Sequence, residues 1–216
     1  MVGAGDPLAS GLVASLSRPV GNTTRVTDIF PSIAGKWVEL LKASAPNVAR
    51  VALIFNPDTS NPIFVNTIEA AAIEAGSQSG VRAIKLPVRN VEEIERAIPD
   101  FAAEPNGGLI IVPPAPSGPE RNAINRLALV NHLPTVYQDR TQAADGGLLS
   151  YGADIIEMTR RGGPPYVDRI LRGAKPGDLP VQFPTKFIFV VNLKTAKALG
   201  IEVPPAVLVR ADEVIE

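Results

Sequence analysis

The fold class this sequence predicts is α/β with a mainly parallel sheet, and three observations predict it. Short, nearly continuous apolar runs recur along the chain, as strands buried on both faces require. Helical patterns separate those runs, and clusters of Pro, Gly, Asn and Asp mark the joints. Strands alternating with helices at this rhythm pack as three layers, with helices on both faces of the sheet.

The elements follow in order. VALIFN, residues 51–56, is the first strand, and NPDTSNP after it is a dense turn cluster. Residues 63–78 carry Phe64, Ile68, Ala71, Ala72 and Ala75 at helical spacing and run into a Gly-containing stop. VRAIKLPV is the second strand. The helix NVEEIERAIPDFAAE follows, with Asn90 as N-cap and acidic residues in its first turn to suit the helix dipole. GGLIIVPP is the third strand, and PSGPERNAINRLALVNHL holds the third helix. PTVYQ and GGLLSYG supply a fourth and a fifth strand.

This α/β unit spans 28–147. Its flanks differ. Residues 1–27 hold a short helix at 8–16 and a Pro/Gly/Asn loop, whereas 148–216 hold a long helical stretch followed by the strand Phe187–Asn192 and helix Leu193–Leu199. The flanks are apolar enough to need burial but make no sheet alone, so they read as two ends of a second domain. The closing strand and helix then lack an evident sheet to join.

Composition narrows the function. With 45% hydrophobic and 20% charged residues the 216-residue chain is globular in type, with ample core. A net charge of -1 and no basic run argue against a nucleic-acid partner. No apolar run is long enough to cross a bilayer, and MVGAGDPLASG does not read as a signal peptide. Catalytic groups are sparse. There is no cysteine and one histidine, His132, which at a helix end reads as a dipole partner or surface residue. Cys/His metal sites are excluded by the counts, and no nucleophile elbow, Walker loop or dinucleotide fingerprint is present. The sequence therefore predicts no enzyme and implies no cofactor.

What remains are polar and aromatic residues at the C-terminal ends of strands, where open α/β sheets hold ligands. These are Asn56, Asp58 and Thr59 after the first strand, Pro114 and Ser117 after the third, Tyr137 and Gln138 after the fourth, and Tyr151 and Asp154 after the fifth. Amides, hydroxyls, helix-start N–H groups and an aromatic wall suit a small polar solute. The plainer reading is that Asn56, Asp58 and Thr59 only cap the turn and the next helix.

Several stretches, among them GDPLASGLVASLSRPVGNTTRVTD, LLSYGADI, YVDRILRGAKPGDLPVQFPTKFIFVVNLKTAKALGIEVPP and VLVRADEVIE, resemble the ABC transporter substrate-binding proteins of the tryptophan/tyrosine-uptake type. The resemblance covers essentially the whole chain. It implies a type I periplasmic-binding fold, with two α/β lobes that close over a small solute such as an amino acid in an interlobe cleft, with an ABC permease and ATPase as partners, outside the cytoplasmic membrane. Motif matching implies Asp6, Ser10, Thr27 and Asp28 as near-lobe ligand residues. Asn56, Thr59, Tyr137, Tyr151 and Asp154 are the matching far-lobe residues. Asp6 or Asp28 is expected to meet a ligand ammonium, and Thr59 its polar oxygens.

Against the family, the chain reads as N-terminally truncated. Residues 1–27 would be a remnant of the first lobe, and 148–216 the crossover and the returning part of that incomplete lobe. Solute binding is then expected to be impaired, and the uncovered lobe would favour self-association. Made as written, without a leader, the chain would stay cytoplasmic. Three departures stand out. Gly162, Gly163, Pro164 and Pro165 should break or kink the long helix. Arg25 stands where a small residue is usual, and Ile188 where an acidic one is. The rival readings are a cytoplasmic effector-sensing domain of a regulator, which needs a helix-turn-helix not seen before Gly5; an α/β enzyme, which needs a catalytic constellation; and a non-functional fragment.

Overall fold

The computed structural model describes residues 2–3, 11, 13–28, 32–116 and 118–216. Its centre is β3 (Arg50–Phe55), buried at every position because helices cover both faces of the sheet around it. β3 runs parallel to β4 (Arg82–Pro87) on one side and to β5 (Gly107–Ile111) on the other. Beyond β5 lie β6 (Thr135–Tyr137), β7 (Leu149–Ala153), β8 (Phe187–Asn192) and β9 (Glu213–Ile215), in a seven-stranded sheet of order β4-β3-β5-β6-β7-β8-β9. The parallel α/β architecture predicted from the apolar runs is the one observed.

The strand alternation divides the core. Ala52, Ile54, Leu109 and Ile111 pack with Ile94, Ile98 and Phe101 of α3 (Val91–Ala102), and with Ile124, Leu127 and Ala128 of α4 (Gly118–Val130). α1 (Ile33–Ser44) and α2 (Pro62–Ser79) pack on each other, Gly35 lying close to Ala71 and Ala75. α1 buries Trp37 completely, and the indole N–H donates to the Tyr151 carbonyl at 2.8 Å. Local signals set the helix ends. Asn61 accepts from the Ile63 and Phe64 N–H groups, with Pro62 at the first helical position, and α2 stops at Gly80 at φ 71°, where a side chain would be strained. Asn90 caps α3 as the sequence predicted, accepting from Glu93 N–H at 2.9 Å.

The chain divides into two units. One comprises Met1–Phe30 and Ala153–Phe187, the other Pro31–Gly152 and Ile188–Glu216. This partition departs from the expected 1–27, 28–147 and 148–216 chiefly at the end of the chain. β8 does not want for a sheet, since it lies between β7 and β9. Its Phe189, Val190, Val191 and Asn192 are buried, Asn192 N–H donates to Leu148 O at 2.9 Å, and its side-chain amide donates to Ala143 O at 2.9 Å. A strand apolar on both faces is what an interior position in such a sheet demands. The Asn192 side-chain oxygen also caps α7 (Leu193–Leu199) through Thr195 N–H.

The smaller unit carries a parallel two-stranded sheet, β1 (Val2–Gly3) with β2 (Val26–Thr27). β2 is bridged on by Gln182, with Thr27 N–H donating to Gln182 O and Gln182 N–H to Arg25 O, both at 3.0 Å. Arg25 is buried here. α6 (Ile155–Leu171) runs on through Gly162, Gly163, Pro164 and Pro165, so the expected break does not occur. Tertiary packing outweighs the lost helical bonds. Met158, Gly162 and Tyr166 form one buried face, and a Cβ at Gly162 would stand 2.4 Å from a Val26 methyl. The glycine is there to let the strand in, and the Tyr166 hydroxyl anchors the same face on Pro180 O at 2.5 Å. Of the helix expected at 8–16, residues 13–16 are irregular and most of the rest lies outside the described residues.

Candidate functional site

The order of the large sheet creates a crevice by topology. From β3 the chain passes to β4 on one side, and then to β5 on the other, so the loops after β3 and β5 part company. Register places those loops at one level, with Ile54 opposite Ile111 and Phe55 opposite Pro87. Between them opens a depression of ≈ 300 Å³, lined by Asn56 and Thr59 after β3, Val88 and Arg89 after β4, Pro114, Ala115 and Pro116 after β5, and Ile94 and Glu120 from the helices. The Pro113–Pro114 peptide is cis.

Polar groups here fall into two kinds. Asn56 is spent on the turn: its side-chain oxygen accepts from Asp58 N–H at 2.9 Å, and its amide donates to Arg89 O at 3.2 Å. It also lines the depression. Thr59 is exposed, its N–H directed to Asn56 O at 3.3 Å. Arg89 lies 3.5 Å from an Asp58 oxygen and 3.5 Å from a Glu93 oxygen. Glu120 stands half-buried in the first turn of α4. The sequence reading missed Arg89 and Glu120, because one follows a strand assigned no ligand role and the other lies inside a helix. The order of strands was the missing signal.

The other expected residues take separate places. Tyr137, expected among the far-lobe residues, is 1% exposed, belongs to the core, and donates its hydroxyl to the Asn125 side-chain oxygen at 2.6 Å. Burial pushes that phenol well above the ordinary tyrosine range. Its ring fits because Gly147 leaves room; a Cβ there would stand 2.5 Å from it. Tyr151 is half-buried, and burial, followed by the charges of Glu39 and Asp212, raises its phenol too. Burial alone would raise the Glu39 carboxyl, but hydrogen bonds from Lys36 and Arg210 outweigh it and hold the group below the usual carboxylate range.

In the smaller unit, Thr27 is fully buried in β2 and Asp28 half-buried after it. Asp154 is the N-cap of α6. The Glu157 N–H at 3.0 Å, joined by the Lys186 ammonium at 2.9 Å, holds its carboxyl below the ordinary range. Its structural task is therefore plain. Asp6, Ser10 and Ser117 lie outside the described residues.

Two α/β units whose chain crosses between them at 30/31, 152/153 and 187/188, with a strand-end crevice in the larger, define the class of type I periplasmic-binding-like proteins. Within it the chain belongs to the family of ABC transporter substrate binding proteins, whose family model matches residues 1–215. It is similar to an ABC domain from Streptococcus pneumonia solved in complex with L-Trp, at 27% identity and a TM-score of 0.82, over 97% of this chain and 70% of that one. A conserved domain protein from Vibrio cholerae aligns at 25% identity with a TM-score of 0.80, over 97% and 68% of the two chains. A tyrosine-binding protein of Clostridioides difficile is 24% identical over 204 residues, 91% of this chain and 55% of that protein. The chain thus spans about half the length of this curated relative.

Proposed function

We propose that this chain is the extracytoplasmic solute-binding component of an ABC importer, taking a small amino-acid-like solute and presenting it to a permease. The crevice between the loops after β3 and β5 carries this reading, since it is the open polar site at the strand ends of a family member's larger unit. Relatives that hold L-Trp or are described as tyrosine-binding favour an aromatic amino acid. Among the described residues no helix is long and apolar enough to cross a membrane. Thr59 offers its hydroxyl to the solute, while Asn56 shapes the loop that presents it. Weak binding by the chain alone is part of this reading.

A thermal melt with L-Trp or L-Tyr at millimolar concentration tests this, because a ligand that binds only the folded state raises the midpoint by mass action. A rise of about one degree is expected. A rise of several degrees would show strong binding by the chain alone and overturn the weak-binding part. No shift with any amino acid would remove the ligand class.

A further inference from the structure

The geometry points to Glu120 as the residue that reads the solute's ammonium group, which makes the crevice a site for a primary amine beside an apolar body. This inference rests on the crevice being the solute site. The charges around the depression carry it. Its one guanidinium, Arg89, is already shared between Asp58 and Glu93, each at 3.5 Å, while the Arg89 backbone N–H donates to Glu93 at 2.9 Å. Arg89 is therefore matched by two carboxylates before any solute arrives, and a third, Glu120, also lines the wall. Glu120 has no ion pair or side-chain hydrogen bond with any described residue. Its neighbour Arg121 is turned to Asp145 at 3.3 Å. A concave site with one matched cation and a surplus carboxylate focuses negative potential, which favours an incoming ammonium and disfavours a second carboxylate.

An acidic residue in a first helical turn also interacts with the helix dipole, a sufficient reason for Glu120 on an open surface. Here it stands on the wall of a depression that it shares with the polar Asn56, Thr59 and Arg89 and with the apolar Pro114, Ala115 and Pro116. The proline and alanine surfaces accept a ring or aliphatic body beside Glu120. The assignment moves the ammonium partner from Asp6 or Asp28, where the resemblance put it, to the larger unit.

The test is a series of amide-resolved NMR titrations of the whole chain with L-Trp, with tryptamine, which keeps the ammonium and lacks the carboxylate, and with indole-3-propionate, which keeps the carboxylate and lacks the ammonium. L-Trp and tryptamine are expected to shift the Thr59, Arg89 and Glu120 amides, and indole-3-propionate to bind at least tenfold more weakly. Glu120→Gln should weaken tryptamine about tenfold and leave indole-3-propionate unchanged, with Glu120→Asp recovering part of the loss and both variants melting like the parent. Equal binding of tryptamine and indole-3-propionate, or an unchanged Glu120→Gln, would overturn the ammonium assignment while leaving the crevice as the solute site. Shifts confined to other amides would overturn the crevice itself, and with it the inference. No shift with L-Trp or tryptamine would refute both readings.

Discussion

The two ends of the large sheet treat charge in opposite ways. At the N-terminal edge of the strands, where helices end, the chain satisfies its own carbonyls with its own cations. Arg50 is 7% exposed; its guanidinium donates to Phe101 O at 2.6 Å, to Glu104 O and to Pro105 O at 3.2 Å, and lies 4.2 Å from the centre of the Phe101 ring. Lys42 does the same for the end of α1, donating to Pro46 O and Val48 O, both at 2.8 Å. Cations at helix C-termini complement the dipole, and buried ones satisfy carbonyls that water cannot reach. At the C-terminal edge, Thr59 and Glu120 line the smaller depression. The larger depression, ≈ 480 Å³, lies at the N-terminal edge beside Asn47, His132 and Gly200, so size alone does not mark the site. His132 Nδ1 there lies 3.4 Å from Leu199 O, at the end of α7. One end spends its charges on the fold, and the other carries the proposed solute site.

That contrast breaks first at Arg50. Arg50→Met keeps the aliphatic stem but leaves buried carbonyls unpaired, and should lower the unfolding free energy by about 3 kcal/mol in urea titrations. A loss under about 1 kcal/mol would mean that water satisfies this end and that the contrast is not energetic. Tyr137→Phe comes next. It strands the Asn125 oxygen, and should destabilise by about 1 kcal/mol without changing solute affinity. Weakened L-Trp binding at unchanged stability would return Tyr137 to the proposed solute site. Thr59→Ala has the smallest effect on the fold, within about 0.5 kcal/mol. Its consequence should appear in L-Trp titrations as a several-fold weaker Kd, and equal affinity would show that the hydroxyl is not used.

Much of the fold was legible because its causes are local. β3 and β5 declare themselves by apolar runs, and Asn90 by a cap followed by acidic residues. The site was legible only in part. Asn56, Thr59 and Pro114 follow their strands in sequence and do meet in the crevice, but Arg89 and Glu120 join them only through the strand order. Tyr137 has the same strand-end position as Thr59's loop, yet its ring turns inward because Gly147 opens a space beneath it. Trp37 and the helix around it were not assigned from the pattern, although they fill one face of the core.

The sequence by itself determined the parallel α/β class, the capped helices and the family, since apolar periodicity, cap chemistry and motif spacing are properties of short stretches. Tertiary structure alone decided that β8 enters the large sheet, that α6 continues past its two prolines, and which strand-end side chains line the crevice. Each of those outcomes depends on partners far along the chain, where packing energy outweighs local preference and leaves no mark on the local pattern.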